Sequence, residues 1–286
     1  AEGYYILSKI YIEWNNFSKA YKEIMLAIKN DPKNHIYQGE LSRIKFLQYD
    51  DYDSNMISEH QLWSDQDDYF YEDNNTDVLL VIFGSNGREG KLIPSFNFYN
   101  LLKASKSFDK LFIRDIDRNY YLTGLRNSTT NLQGTIDLIK KLSSKKRYKM
   151  KVSIGASAGG YAAILFGHLL TFSKAIAFNP QTVISQEKEK IVKDEYYTVE
   201  ISKKLRTLNL SDILYQKCLN LKNLIPFKTK AEIHYSCFSE IDTNHAKFIE
   251  HQNCKLIQHN SSSHLLALQL RDSEELKDII EKSLEI

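Results

Sequence analysis

The sequence predicts an α/β protein: a mostly parallel, doubly wound sheet with helices on both faces, a helical insertion, and a helical appendage in front. Three observations carry this. From residue 77 onward, short β-rich runs alternate with helical patterns. Several of those runs are apolar on both faces, as parallel strands covered by helices must be. The first 48 residues instead repeat their apolar positions at helical spacing.

In the front, helices are expected over 3–14 and 17–30, with a third near 35–48 through Leu41, Ile44 and Leu47. Tyr4, Leu7, Ser8, Tyr11, Ala20, Ile24, Ala27 and Pro32 place large residues where two antiparallel helices bulge and small ones where they approach. This pattern resembles a tetratricopeptide repeat, a unit of about 34 residues, with Ser8 in place of the usual glycine; an ordinary helical hairpin is the plain alternative. A lone repeat cannot bury its own face. Tyr4, Tyr5, Leu7, Tyr11, Ile24 and Ile28 exceed what one hairpin covers, so the front (1–48) is expected either to pack on the body or, the favoured reading, to meet a protein partner or a second copy in a homodimer. Residues 49–76 read as an acidic connector, because ten acidic residues and no Lys or Arg lie between Asp50 and Asp77.

The body is placed at 77–286. Its strands are expected at 77–84, 110–116, 149–155, 174–180, 231–238 and 254–260, and its clearest helices at 129–144 and 159–170. In such sheets ligands sit beyond the carboxyl ends of the strands. The charged, mostly helical stretch 184–228 interrupts the alternation and is expected to form a lid over that edge.

Bulk properties narrow the function classes. A chain of 286 residues can bury a substantial core, and its formal net charge of +2 supplies no global field for nucleic acid. Thirteen basic and four acidic residues between Lys103 and Lys151 read as solvated faces or, more sharply, as a basic rim for an anionic substrate. Three cysteines (Cys218, Cys237 and Cys254) without C-x-x-C spacing indicate neither a disulfide framework nor a zinc site. A reducing, cytoplasmic location follows as the expectation. No apolar run approaches the roughly 20 residues of a membrane helix, and no signal peptide is visible.

Gly155-Ala156-Ser157-Ala158-Gly159 sits between a predicted strand and a predicted helix. A serine on such a turn is a nucleophile elbow: small residues two before and two after it let strand and helix crowd, and its oxygen projects above the sheet at a helix N-terminus. A phosphate loop would need Gly-Lys-Ser/Thr, which Gly159-Gly160-Tyr161 does not supply. The Ala158 amide follows as one oxyanion-hole donor, and the second is expected from Gly84, Ser85 or Asn86, after the first strand of the body.

The body thus resembles the α/β-hydrolase superfamily, whose triad runs in the order Ser, acid, His. The resemblance implies Asp242 as the acid, after the strand "AEIHYSCF", and His264 as the base, in "NSSSHLLALQL". Glu240 rivals Asp242, while Asp272 reads as a helix cap. His259 is the serious rival to His264; His245 and His251 read as solvated, and His168 as packed. Arg114, Asp115 and Asp117 end a strand on the same edge, to shape the pocket or to form a loop salt bridge. More narrowly, "GASAGGYAA", "FNPQT", "FGSNG" and "IRDIDRNYYLTGL" are similar to small hydrolase-like proteins found with bacterial surface-polysaccharide genes, some of them capsule O-acetyltransferases.

The implied activity is acyl transfer through an acyl-serine, on an ester, a thioester or a glycan substrate, with water or a sugar hydroxyl as acceptor. No metal or organic cofactor is required, and acetyl-CoA would be the donor of a transferase. A scaffold, in which the front binds and the body is structural, is the alternative from another class.

Overall fold

The computed structural model describes residues 1–14, 16–41, 44, 65–87, 94–185, 187–194 and 213–284. Seven strands, β1 (Tyr69–Glu72), β2 (Val78–Phe83), β3 (Asp109–Ile113), β4 (Met150–Ala156), β5 (Lys174–Phe178), β6 (Lys230–Ser236) and β7 (Cys254–His259), form one sheet in the order β1-β3-β2-β4-β5-β6-β7. All neighbours run parallel except β1 and β3, which pair antiparallel with Tyr69 opposite Ile113. Six strands match the expected runs to within a few residues. β1 corrects the reading of 49–76 as a connector, because the sheet begins inside it. Phe70 packs on Phe112 and Tyr99, and Glu72 bonds Lys110 at 2.9 Å. Residues 49–64 of that stretch lie outside the described residues.

Alternation along β2 sends Leu79, Val81 and Phe83 to one face of the sheet and Leu80 and Ile82 to the other. The first face packs on Tyr161, Leu165 and Phe166 of the helix Ala158–Leu169, which is buried on every side. The second packs on the two C-terminal helices, Leu266–Asp272 and Glu275–Ser283, through Leu266, Leu270, Leu276 and Ile280. Both faces are covered, which is why strands such as β2 and β3 carry apolar residues continuously.

Part of the stretch expected to be a lid, residues 213–227, behaves differently. Tyr215, Cys218, Leu221 and Leu224 are buried in the core beside Tyr161, whose hydroxyl donates to the Cys218 carbonyl at 2.7 Å. The Leu221 amide donates to Thr182 at 3.0 Å. Residues 213–227 are therefore part of the packed body; 186 and 195–212 lie outside the described residues.

In the front, the helices Glu2–Glu13 and Phe17–Asn30 form as expected, and residues 35–41 are helical. Ala20, Ile24 and Ala27 are fully buried between them with Phe17, Tyr37 and Ile44. The Ser8 hydroxyl turns back to the Tyr5 carbonyl at 2.8 Å. Leu47 lies outside the described residues. Tyr4, Leu7 and Trp14 remain exposed. The front is not loosely tethered: the His35 ring lies tilted against Phe238, their centroids 4.5 Å apart, and Ser262 Oγ donates to the His35 carbonyl at 2.8 Å. Among the described residues, no helix is long and apolar enough to cross a membrane.

Candidate active site

β4 ends at Ala156 and a helix starts at Ala158, so one residue, Ser157, must make the whole turn. It does so with φ 52° and ψ −117°, a left-handed conformation costly for any residue with a side chain. Sterics explain its glycines. A Cβ on Gly155 would overlap the Gly159 carbonyl, and one on Gly159 would overlap the Phe83 carbonyl. The turn is pinned by the Ser157 amide donating to Phe178 at 2.9 Å.

His264 reaches the serine from the loop after β7. Its Nε2 lies 2.9 Å from Ser157 Oγ and its Nδ1 2.7 Å from Asp242 Oδ1. Asp242 sits in the first turn of the helix Glu240–Phe248, capped by Ser239, whose Oγ accepts from the Asp242 amide at 3.3 Å. Asp242 is 1% exposed while the His264 side chain is 40% exposed, so the acid is dry and the base faces solvent. The buried carboxylate fixes the proton on Nδ1, leaving Nε2 to accept from the serine hydroxyl. Partial burial works to lower the His264 pKa, but the charge and hydrogen bond of Asp242 outweigh it and hold it above the ordinary value.

The rivals fall elsewhere. Glu240 is exposed and pairs with Lys193 at 2.8 Å. Asp272 ends the helix Leu266–Asp272 beside Arg271, and does not cap the last helix. His259 Nε2 meets His234 Nδ1 at 2.9 Å. His245 is buried, not solvated: Nδ1 accepts from the Thr182 amide at 3.0 Å and Nε2 faces Asp194 at 3.3 Å. His251 accepts at Nδ1 from the Asn253 amide. His168 accepts from the Lys228 amide at 3.1 Å.

Of the expected oxyanion donors, Gly84 is a correction. Its amide donates to the Ile113 carbonyl at 2.8 Å and is consumed by the sheet. The Ser85 amide has no partner among the described residues, and its hydroxyl accepts from Asn97 at 3.1 Å. Ala158 opens its helix, where first-turn amides lack intrahelical acceptors. Gly84 lies against Gly159, which brings the 84–85 backbone beside the elbow.

Arg114, Asp115 and Asp117 build the neighbouring loop. Arg114 is buried over the Phe96 ring and donates to the carbonyls of Asp67 and Pro94. Asp115 accepts from the amides of Asn119 and Tyr121, and burial pushes its carboxyl up to about 6. Asp117 pairs at the surface with Arg126. Two supporting residues escaped the sequence reading. The Tyr121 hydroxyl donates to the Gly84 carbonyl at 2.7 Å and steadies that loop. Asn179, left-handed at φ 40°, uses Nδ2 to tie Ser236 Oγ and the carbonyls of Ser263 and His264 at 2.9–3.0 Å. A polar residue next to Pro180 at the end of an apolar strand was the only signal.

A mostly parallel sheet with a strained serine between the central strand β4 and its helix is the α/β-hydrolase-type fold. No protein-family model matches the chain, and no curated protein does. Among solved structures, a capsule O-acetyltransferase of Neisseria meningitidis serogroup A is similar at 18% identity with a TM-score of 0.54, over 74% of this chain and 90% of that one. A glycosylation-associated protein (Gap123) complex from Streptococcus agalactiae is similar at 15% identity with a TM-score of 0.53, over 76% of this chain and 44% of that one. A lipase-esterase related protein from Clostridium acetobutylicum is similar at 16% identity with a TM-score of 0.46, over 75% and 98%. At these identities the first two likenesses are ones of fold.

Proposed function

We propose that this chain is a serine-dependent acyl-transfer enzyme. One observation carries the reading: an unbroken relay from buried Asp242 through His264 to a strained Ser157, with contacts of 2.7 and 2.9 Å. As Ser157 Oγ bonds to the acyl carbon, its proton moves to His264 Nε2. The carbonyl oxygen becomes an oxyanion, received by the Ala158 and Ser85 amides at the positive end of the helix. The leaving alcohol or thiol takes the proton from His264, and an acyl-serine remains. An acceptor hydroxyl then gives its proton to His264 as its oxygen bonds to the acyl carbon; the bond to Ser157 Oγ breaks and that oxygen takes the proton back from His264.

The residues assigned to these steps serve a hydrolase and a transferase equally, because both pass through the acyl-serine. We assign the acceptor as a hydroxyl of a bacterial surface polysaccharide, with acetyl-CoA as donor, an O-acetyl ester as product and the cytoplasm as location. The fold-level likeness to a capsule O-acetyltransferase supports this choice. The apolar residues left exposed on the first helix and just after it, Tyr4, Leu7 and Trp14, support a protein partner or a second copy at the front.

The test is incubation with a fluorophosphonate, then with p-nitrophenyl acetate and with acetyl-CoA, each with and without a capsule-type oligosaccharide. Stoichiometric labelling of Ser157 and acceptor-dependent consumption of acetyl-CoA are expected. A folded chain that takes no label at Ser157 overturns the enzyme reading in favour of a scaffold.

A further inference from the structure

The helical residues 35–41 and 44 have two working faces. Tyr37, Leu41 and Ile44 share one, at the i, i+4, i+7 spacing of a helix, and pack into the apolar cluster of the front. His35 and Gly39, also four apart, share another, and that face meets the loop carrying His264. Ser262 Oγ donates to the His35 carbonyl at 2.8 Å, and the His35 ring lies tilted against Phe238 with centroids 4.5 Å apart. The Phe238 amide in turn donates to Ser261 in the same loop at 2.9 Å.

The approach at Gly39 is close. A Cβ there would stand 2.8 Å from Ser262 Oγ and 3.4 Å from the Ser263 amide nitrogen, one residue before His264. From the other side, Asn179 Nδ2 holds the carbonyls of Ser263 and His264, and Ser236 Oγ donates to Ser263 at 2.6 Å. The histidine loop is thus gripped between the strand ends below it and the front helix above it.

We propose that the helical front is a positioning element of the active site: through His35 and Gly39 it sets the Ser262–Ser263 backbone and so the placement of His264 against Ser157. The inference rests on the reading of Ser157 and His264 as nucleophile and base. It makes the front part of the catalytic unit, and it means that whatever displaces the front changes the reactivity of Ser157.

The experiment pairs an intruding side chain with its relief. The rate at which a fluorophosphonate labels Ser157 is measured in the full chain, in Gly39→Val, in Ser262→Gly and in the double variant. Hydrogen exchange of the amides of 261–265 is followed in the same four proteins. Gly39→Val is expected to label about tenfold more slowly, in keeping with a sub-ångström displacement of a catalytic group, and to exchange faster in the loop at an unchanged melting temperature. The double variant is expected to recover most of both losses, because removing Ser262 Oγ makes room for the new side chain. A purely stabilising contact would lower melting without a rescue specific to position 262. Wild-type labelling and exchange in Gly39→Val overturns the proposal, as does a double variant no better than the single. If valine unfolds the front, Gly39→Ala is read the same way. A wild-type chain that never labels overturns the nucleophile reading instead, and loop exchange alone then decides the positioning.

Discussion

Two buried aspartates stand at opposite ends of the same sheet. Asp109 begins β3, at the edge away from Ser157, and its carboxylate is saturated. It accepts from the hydroxyls of Tyr148 at 2.7 Å and Tyr71 at 3.2 Å, the amides of Asn74 and Thr76, the Thr76 hydroxyl, and Lys146 at 2.7 Å. Asp242, at the edge that carries Ser157, has His264 on one oxygen. Equal burial has been solved in opposite ways. A carboxylate that only holds structure collects every donor within reach, whereas the bonding of Asp242 is directed at one ring, that of His264.

The sharpest way to break this contrast is at the serine. Ser157→Ala should lower acyl transfer by roughly 10⁶-fold, since loss of a triad nucleophile removes the effect of the whole unit, with the melting temperature retained. An acyl adduct found on the alanine variant by mass spectrometry would refute the assignment. Next, Asp242→Asn should cost on the order of 10⁴-fold in kcat by favouring the wrong imidazole tautomer. It should leave stability within about 1 kcal/mol, and Glu240→Gln should be nearly silent; a damaging Glu240→Gln beside a mild Asp242→Asn reverses the assignment of the acid.

Asp109→Asn should show the reverse profile. A loss of about 3–5 kcal/mol in denaturant titration is expected for breaking a buried charged cluster, with Ser157 labelling of the folded protein unchanged. Burial alone would raise the Asp109 pKa, but its donors outweigh it and hold it far below the ordinary 3.8. Its contribution is therefore present above the unfolded value and lost as pH falls through the folded one. Wild type should weaken on acidification below about pH 4 more steeply than Asp109→Asn, as urea midpoints across that window would show. The smallest effect expected is a displaced titration. His264 must be neutral to accept the serine proton, so kcat/KM should fall on acidification with a midpoint above the ordinary 6.5. Asp242→Asn should move that limb to lower pH, and a pH profile superimposable on wild type would show that Asp242 does not set it.

What was legible in the sequence was what local constraint dictates. Gly155 is required by an overlap with Gly159, within five residues, while Gly159 is required by the neighbouring strand at Phe83; the small residues around Ser157 nevertheless stand together in the chain, so the elbow could be read from it. Asp242 and His264 followed from chain order against a known superfamily pattern. Long-range bonding left fainter traces: Tyr121 acts on Gly84 and Asn179 on His264, and neither pairing has a periodicity to betray it. β1 was hidden because Asp65, Asp67, Asp68 and Asp73 surround Tyr69-Phe70-Tyr71, and average composition drowned a short aromatic strand. Charge likewise concealed Tyr215, Cys218 and Leu221, whose burial makes residues 213–227 core where a lid was expected. Gly84 failed as an oxyanion donor because the pairing of its amide depends on β3, some thirty residues further along the chain.

Asn179 also bears on how the protein ages. Asparagine side chains decay to aspartate mainly when the backbone nitrogen of the next residue attacks the amide and closes a five-membered imide, which needs a nitrogen able to lose a proton. Here the next residue is Pro180, whose nitrogen carries none, and the amide itself is sealed from water at 0% exposure. Conversion to aspartate would replace the donating NH2 with a negative charge facing the carbonyl oxygens of Ser263 and His264. The prolyl neighbour closes the usual chemical route to that damage, so on prolonged storage this junction should outlast the exposed asparagines elsewhere on the surface.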